Sequence, residues 1–169
     1  MWYAVAVKTK TSTEAVLLLH NIRSVHNVGS IFRTADAIGI SGIVLSGYTP
    51  APVDRFGKPR KDFSKTALGA EHSISWRKLK DPLKEIARLR SEGFFAVAIE
   101  QGRRSVHYRK IKLKRKMLFI LGNEVRGLSD AILKHSDAIA EIPMRGKKES
   151  LNVSVAAGIA LYGILDQGQ

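Results

Sequence analysis

An α/β fold, a mostly parallel sheet with helices on both faces, is predicted by three observations on the sequence. Short apolar runs alternate along the chain with segments whose apolar residues recur at helical spacing. Two of the runs, 117–121 (MLFIL) and 138–142 (AIAEI), are too short for helices and are bounded by turn residues, as buried strands are. Each passes at once into a polar, glycine-containing loop, GNEVRGLS and PMRGKKESLN, and the second loop opens a small-residue-rich apolar run at 153–165, long enough for a helix. Loops leaving the carboxyl ends of parallel strands converge on one crevice, where ligands bind.

Residues 1–13 alternate loosely and then turn polar, which predicts an extra first strand or a mobile start. Residues 15–20 (AVLLLH) are continuously apolar, a buried strand. A polar loop over 21–27 leads to a helix over 28–38, with Val28, Ile31, Phe32, Ala35 and Ile38 on one face, Asn27 as N-cap and Gly39 as stop. A strand follows at 43–45. The stretch 47–60 holds three prolines and reads as a long loop, functional or mobile. A short helix is expected over 62–70 and a short strand or loop over 72–76. Asp81 as N-cap and Pro82 in the first turn open a helix that runs to about Ser91. Residues 94–99 are a strand, and 101–116 are strongly basic. No repeat or linker divides the chain, so residues 1–169 read as one domain.

The chain has 169 residues, an apolar fraction of 44% and a net charge of +13, which fits one domain with a real core and argues against disorder. It holds no cysteine, which excludes disulfides and thiolate metal sites and fits a reducing compartment, with the cytoplasm as the expected location. No apolar run approaches a membrane span. The apolar start lacks a basic region before it and a cleavage site, so no signal peptide is expected. A pI near 10.2 points to a polyanionic partner, nucleic acid ahead of an anionic membrane surface.

Four stretches carry candidate chemistry. In HNIRSVHNVGSIFRTADAIG, 20–39, a strand, a loop and a helix start leave backbone N–H groups pointing outward, an anion-receptive corner. Position alone favours Arg33 as a surface arginine of an amphipathic helix; the functional alternative has it reach a phosphate or reacting hydroxyl. The corner lacks GxGxxG and the Walker pattern, which excludes a Rossmann dinucleotide or P-loop site. In LGNEVRGLS, 121–129, Gly122 and Gly127 admit backbone close to a ligand. Glu124, the only acid there, accepts hydrogen bonds from a ligand or clamps Arg33 or Arg126; the plainer alternative is a tight turn before Ser129 caps a helix at 130–135. In IPMRGKKESLN, Ser150 and Asn152 stand just before the apolar helix, and capping explains only one of them. Small residues along that helix allow close packing against the sheet or a second copy. QGRRSVHYRKIKLKRK, 101–116, carries eight Lys or Arg and no acid, with His107 and Tyr108 between them. This is either a solvated basic face or a phosphate-binding stretch with a base-stacking platform. A second basic cluster comprises Arg55, Lys58, Arg60, Lys61 and Lys65. The five histidines have no ligand-like spacing, so no metal is expected, and no GxSxG elbow exists.

Together, NVGSIFRTADAIG, LFILGNEVRGLS and IPMRGKKESLNVSVAAGIALYG resemble the three ordered motifs of the SpoU/TrmH family over about residues 15–165. These are S-adenosylmethionine-dependent RNA ribose 2′-O-methyltransferases of the SPOUT superfamily. The resemblance implies a deep C-terminal trefoil knot, a cofactor held in a bent shape by the knot loops, and a homodimer with the active site at its interface. It implies catalytic roles for Asn27, Arg33, Glu124, Ser150 and Asn152, and a cofactor pocket of Leu121, Gly122, Asn123, Glu124, Gly127, Ile142, Met144 and Leu151. Arg23, Arg33, Arg60, Lys61, Arg103, Arg104, Arg109 and Lys110 are the candidate RNA contacts. The family proposal has Arg33 act on the 2′-hydroxyl. Because guanidinium is effectively always protonated, orienting phosphate and stabilising developing alkoxide charge is the expected role. Many relatives carry an added N-terminal RNA-binding domain or C-terminal helical extension. Here RNA capture is expected to fall to the basic segments, the partner subunit or another protein. The expected substrate is structured RNA, tRNA ahead of rRNA, with no membrane partner. The alternatives are a non-catalytic RNA-binding protein that keeps the fold, an α/β nucleotide-binding enzyme unrelated to RNA, and a base methyltransferase; the first motif with its Arg33 argues against the last.

Overall fold

The computed structural model describes residues 13–167, so the extra strand or mobile start expected over 1–13 falls, Thr13 apart, outside the described residues. In chain order the elements are β1 Glu14–His20, α1 Val25–Ile38, β2 Gly42–Ser46, α2 Lys61–Ala67, α3 Ala70–Ser73, β3 Trp76–Leu79, α4 Pro82–Ser91, β4 Phe95–Ile99, β5 Val106–His107, a 3-10 turn Tyr108–Lys110, β6 Lys116–Leu121, α5 Asp130–His135, β7 Ala138–Glu141 and α6 Val153–Leu165. The strands form one sheet in the order β3-β2-β1-β6-β4-β7-β5, every neighbouring pair parallel. β6 thus lies between β1 and β4, and β7 between β4 and β5.

Both faces of the sheet are covered, which explains the continuous apolar runs. Leu17, Leu19, Met117 and Phe119 pack with residues of α1, α2 and α6 on one face. Leu18, Ala96, Ala98, Leu118 and Ile120 pack with residues of α4 and α5 on the other. Phe32 of α1 and Phe63 of α2, both fully buried, meet edge-to-face with ring centroids 5.1 Å apart.

Several boundaries differ from expectation. Helix α1 begins a turn earlier than predicted: its N-cap is Ser24, whose hydroxyl accepts from the Asn27 N–H at 3.2 Å. The first turn is mostly polar, so apolar spacing alone detects the helix only from Val28. Asn27 is therefore not the cap, and its side chain is free for other contacts. The short strand or loop expected over 72–76 is instead the end of α3, through Ser73, and a two-residue connection; β3 begins only at Trp76. Tyr108 is 9% exposed beneath α6, where a Cβ on Gly163 would come within 2.2 Å of its ring. It is a core residue and cannot be the stacking platform read from the basic stretch. α4, with Asp81 accepting from the Leu83 and Lys84 N–H groups, and α5, capped by Ser129, lie where the caps predict them.

Phe63→Ala is expected to cost about 3–5 kcal/mol, because it empties a fully buried site between α1 and α2; urea denaturation followed by circular dichroism measures the loss.

Candidate active site

The carboxyl ends of β4, β6 and β7 and the start of α6 enclose a cavity of about 370 Å³. All eight residues assigned to a cofactor pocket by resemblance line it: Leu121, Gly122, Asn123, Glu124, Gly127, Ile142, Met144 and Leu151. Ser150 lines it as well, with Val153 and Ala156 from the first turn of α6. Glu100, Gln101 and Glu149 also line it, and sequence reasoning missed them. An acid and an amide just past a strand end form no spacing pattern. The only available signal was their place at a carboxyl edge.

The loop from Gly122 to Leu128 is held from three directions. Within it, the buried Asn123 accepts from the N–H groups of Val125 (2.9 Å) and Arg126 (2.7 Å) and donates to the Asn21 carbonyl (3.0 Å) and the Tyr48 hydroxyl (2.7 Å). On the β4 side, the Glu100 carboxylate accepts from the N–H groups of Leu128 (2.9 Å) and Gln101 (3.0 Å). This approach needs glycine at 127, where φ is +64° and a Cβ would lie 2.3 Å from Glu100 Oε2. On the β1 side, Glu124 accepts from the N–H groups of Arg23 (3.2 Å) and Ser24 (3.5 Å) and from the side-chain amide of Asn27 (3.2 Å). Its clamp is therefore on the β1–α1 corner, and the alternatives of Arg33 or Arg126 do not hold.

Asn27 continues this chain of contacts. Its Oδ1 accepts from Asn152 Nδ2 at 3.1 Å, and Asn152 in turn caps α6 by accepting from the Ser154 N–H at 2.8 Å. Asn27, Glu124 and Asn152 are thus brought together, and Ser150 is the member left uncapping at the cavity wall. Arg33 is not brought in. It is exposed on α1, in a shallow hollow with Ser30, Thr34, Lys65, Thr66 and Tyr162.

The basic residues divide in two. Arg23, Lys61, Arg103, Arg104, Arg109 and Lys110 are exposed. Arg60 is half-buried and ion-paired to Asp62 at 2.7 Å, which commits its charge internally. Burial acts to raise the Glu124 pKa, but hydrogen bonds from its own backbone N–H, the Arg23 N–H, the Asn27 amide and the Ser24 N–H hold it below its ordinary value. Among the described residues, no three His, Asp or Glu side chains group as a metal site requires, and no helix is long and apolar enough to cross a membrane.

A model of the SpoU rRNA methylase family matches residues 14–162. An uncharacterized tRNA/rRNA methyltransferase homologue of Mycoplasma pneumoniae is 31% identical over 161 residues, 94% of this chain and 64% of that protein. The tRNA (guanosine(18)-2′-O)-methyltransferase of Aquifex aeolicus is 31% identical over 92% of this chain and 71% of its own length. The chain thus spans about two thirds of these relatives. Among solved structures, the A. aeolicus TrmH/SpoU tRNA modifying enzyme superposes with a TM-score of 0.80 at 28% identity, over 92% of this chain and 75% of that one. The AdoMet-bound rRNA methyltransferase of Sinorhizobium meliloti gives 0.78 at 30% identity, over 89% and 55%.

A carboxylate with a depressed folded-state pKa stabilises above its unfolded value and loses that contribution as pH falls through the folded one. Wild-type stability, measured by urea denaturation, is therefore expected to fall from pH 5 to pH 3 more steeply than that of Glu124→Gln.

Proposed function

The chain belongs to the SpoU methylase family, and on that footing we propose that it transfers a methyl group from S-adenosylmethionine to a ribose 2′-hydroxyl of structured RNA, with tRNA the leading substrate. The observation that carries this reading is the charge of the cavity. Among the described residues that line it, three are carboxylates, Glu100, Glu124 and Glu149, and none is Lys or Arg, in a chain of net charge +13. A nucleotide polyphosphate is repelled by such a lining, whereas a sulfonium with an ammonium group matches it. Leu121, Ile142, Met144 and Leu151 offer apolar contact for a purine, and the volume lies within the range of small-molecule sites.

The cofactor, when bound, supplies a methyl group already activated on sulfur. The chain's own work is then positioning. Glu124 and Asn152 fix Asn27 between the β1–α1 corner and the start of α6. Ser150, at the cavity wall, orients the incoming ribose. Arg33 orients the RNA phosphate and stabilises alkoxide charge as the hydroxyl loses its proton to solvent water. Its distance from the cavity is bridged by pairing of two chains through α1 and α6. Supporting this, Val155 and Tyr162, one face of α6, are 49% and 46% exposed on a helix that is otherwise apolar. The exposed arginines and lysines at 103, 104, 109 and 110 neutralise phosphates. The reading also includes the knotted threading of the C-terminal motifs; the interior places of β6 and β7 support it.

The test incubates the protein with labelled S-adenosylmethionine and total RNA from a strain lacking it, then identifies labelled nucleosides by mass spectrometry. Label is expected in a 2′-O-methyl nucleoside of the tRNA fraction; label on a base overturns the ribose assignment. Arg33→Ala is expected to lower turnover about 100-fold or more while the cofactor Kd, by calorimetry, stays within about twofold; lost cofactor affinity of similar size overturns its role. Tyr162→Asp is expected to sediment as a monomer and to lose turnover.

A further inference from the structure

We infer that Tyr48 is a stacking platform for an unpaired nucleobase of the RNA, and that its hydroxyl ties that contact to the loop lining the cofactor cavity. The inference rests on the RNA reading above. Tyr48 is 56% exposed where the chain leaves the carboxyl end of β2. Exposed aromatic rings are ordinarily mobile, but this one is anchored. Its backbone N–H donates to Asn21 Oδ1 at 3.2 Å, and its hydroxyl accepts from Asn123 Nδ2 at 2.7 Å.

The anchor is itself rigid. Asn21, at φ +56°, donates through Nδ2 to His20 Nε2 at 3.0 Å, and the other ring nitrogen, Nδ1, meets Ser46 Oγ at 2.9 Å. Burial lowers the His20 pKa, which favours the neutral ring that can accept from Asn21. Glycine is needed at 47, where φ is +63° and a Cβ would lie 1.8 Å from Asn21 Oδ1. The residue after Tyr48, Thr49, is buried and donates to the Leu19 carbonyl at 3.0 Å.

A tyrosine needed only to satisfy Asn123 would not have to present its ring to solvent. Asn123 already has three other partners: the Asn21 carbonyl and the N–H groups of Val125 and Arg126. A fixed, exposed ring loses little freedom when a base stacks on it, and stacking of this kind is the means by which proteins hold splayed bases. Charges for the flanking phosphates stand close in the chain to the anchoring groups: Arg23, two residues after Asn21, and Arg126, three after Asn123, are both exposed. The cavity opens over β4, β6 and β7, while Tyr48 follows β2, so the Asn123 loop is touched by cofactor-side and RNA-side groups alike.

The experiment measures the KM for bulk tRNA in methyl transfer, the cofactor Kd, and the fluorescence quenching of a single-stranded RNA oligonucleotide carrying 2-aminopurine. Tyr48→Ala is expected to raise the tRNA KM roughly tenfold and to abolish the quenching, with the cofactor Kd within about twofold of wild type. Tyr48→Phe keeps the ring and is expected to retain quenching, and Tyr48→Trp is expected to restore what alanine loses. Unchanged KM and quenching in Tyr48→Ala, on a wild type that methylates RNA, overturns this inference alone. So does a Phe variant as damaged as the Ala variant, since the hydroxyl and not the ring would then matter. A wild type that neither binds nor methylates RNA overturns the functional reading and this inference together.

Discussion

Everything at the active edge of the sheet depends on where the backbone N–H groups of one irregular loop find acceptors. A loop at the centre of a parallel sheet lies against buried strand ends, and its amides are costly to leave unpaired. Glu100 takes those facing β4, Asn123 those inside the loop, and Glu124 turns outward to take the N–H groups of the β1–α1 corner. Together they convert a seven-residue stretch without regular structure into a wall of fixed shape.

The same groups set the electrostatics. Carboxylates recruited as acceptors for neutral amides keep their charge, so the wall that shapes the cavity also makes it negative. The lysines and arginines that give the chain its strong positive charge lie outside, many of them on the 101–116 stretch and the long loop after β2. One molecule therefore carries opposite potentials, negative within the cavity and positive outside it. The Asn27–Asn152 contact joins the β1–α1 corner to the start of α6, so the acidic wall and the helix that completes the cavity are not independent.

The fold was largely legible because its signals are local. The apolar runs of β1, β4 and β6 announce a sheet buried on both faces. Asp81-Pro82 and Asn152 mark helix starts, and α6 has the predicted bounds. The candidate cavity was legible at the second and third motifs, which supply most of its lining, and Asn27 of the first motif bonds to Glu124 and Asn152, while Arg33 lies apart. What was not legible depends on distant partners. Tyr108 sits in a basic run and reads as surface, yet Gly163, far along the chain, leaves the space that buries it. Tyr48 looks like an ordinary loop residue until Asn21 and Asn123 are seen to hold it. Glu100 carries no local pattern, because its acceptor role exists only once β6 lies beside β4. Ser24 hides behind a mostly polar first turn.

The interior place of β6 has a consequence for how the protein is made. β1, β2 and β3 can pair as soon as they are synthesised, but β4 has no early neighbour: its partners are β6 and β7. Until Lys116–Leu121 emerges from the ribosome, the nascent chain holds a three-stranded piece of sheet, β3-β2-β1, whose β1 edge is bare, and the unpaired apolar strand β4. A bare edge is a template for strands of other chains as well as for the missing one, and pairings so distant in sequence form slowly. The strand that carries the Gly122–Leu128 loop is thus also the strand that closes the sheet, so a chain that has not yet built its cavity wall is also a chain prone to aggregate.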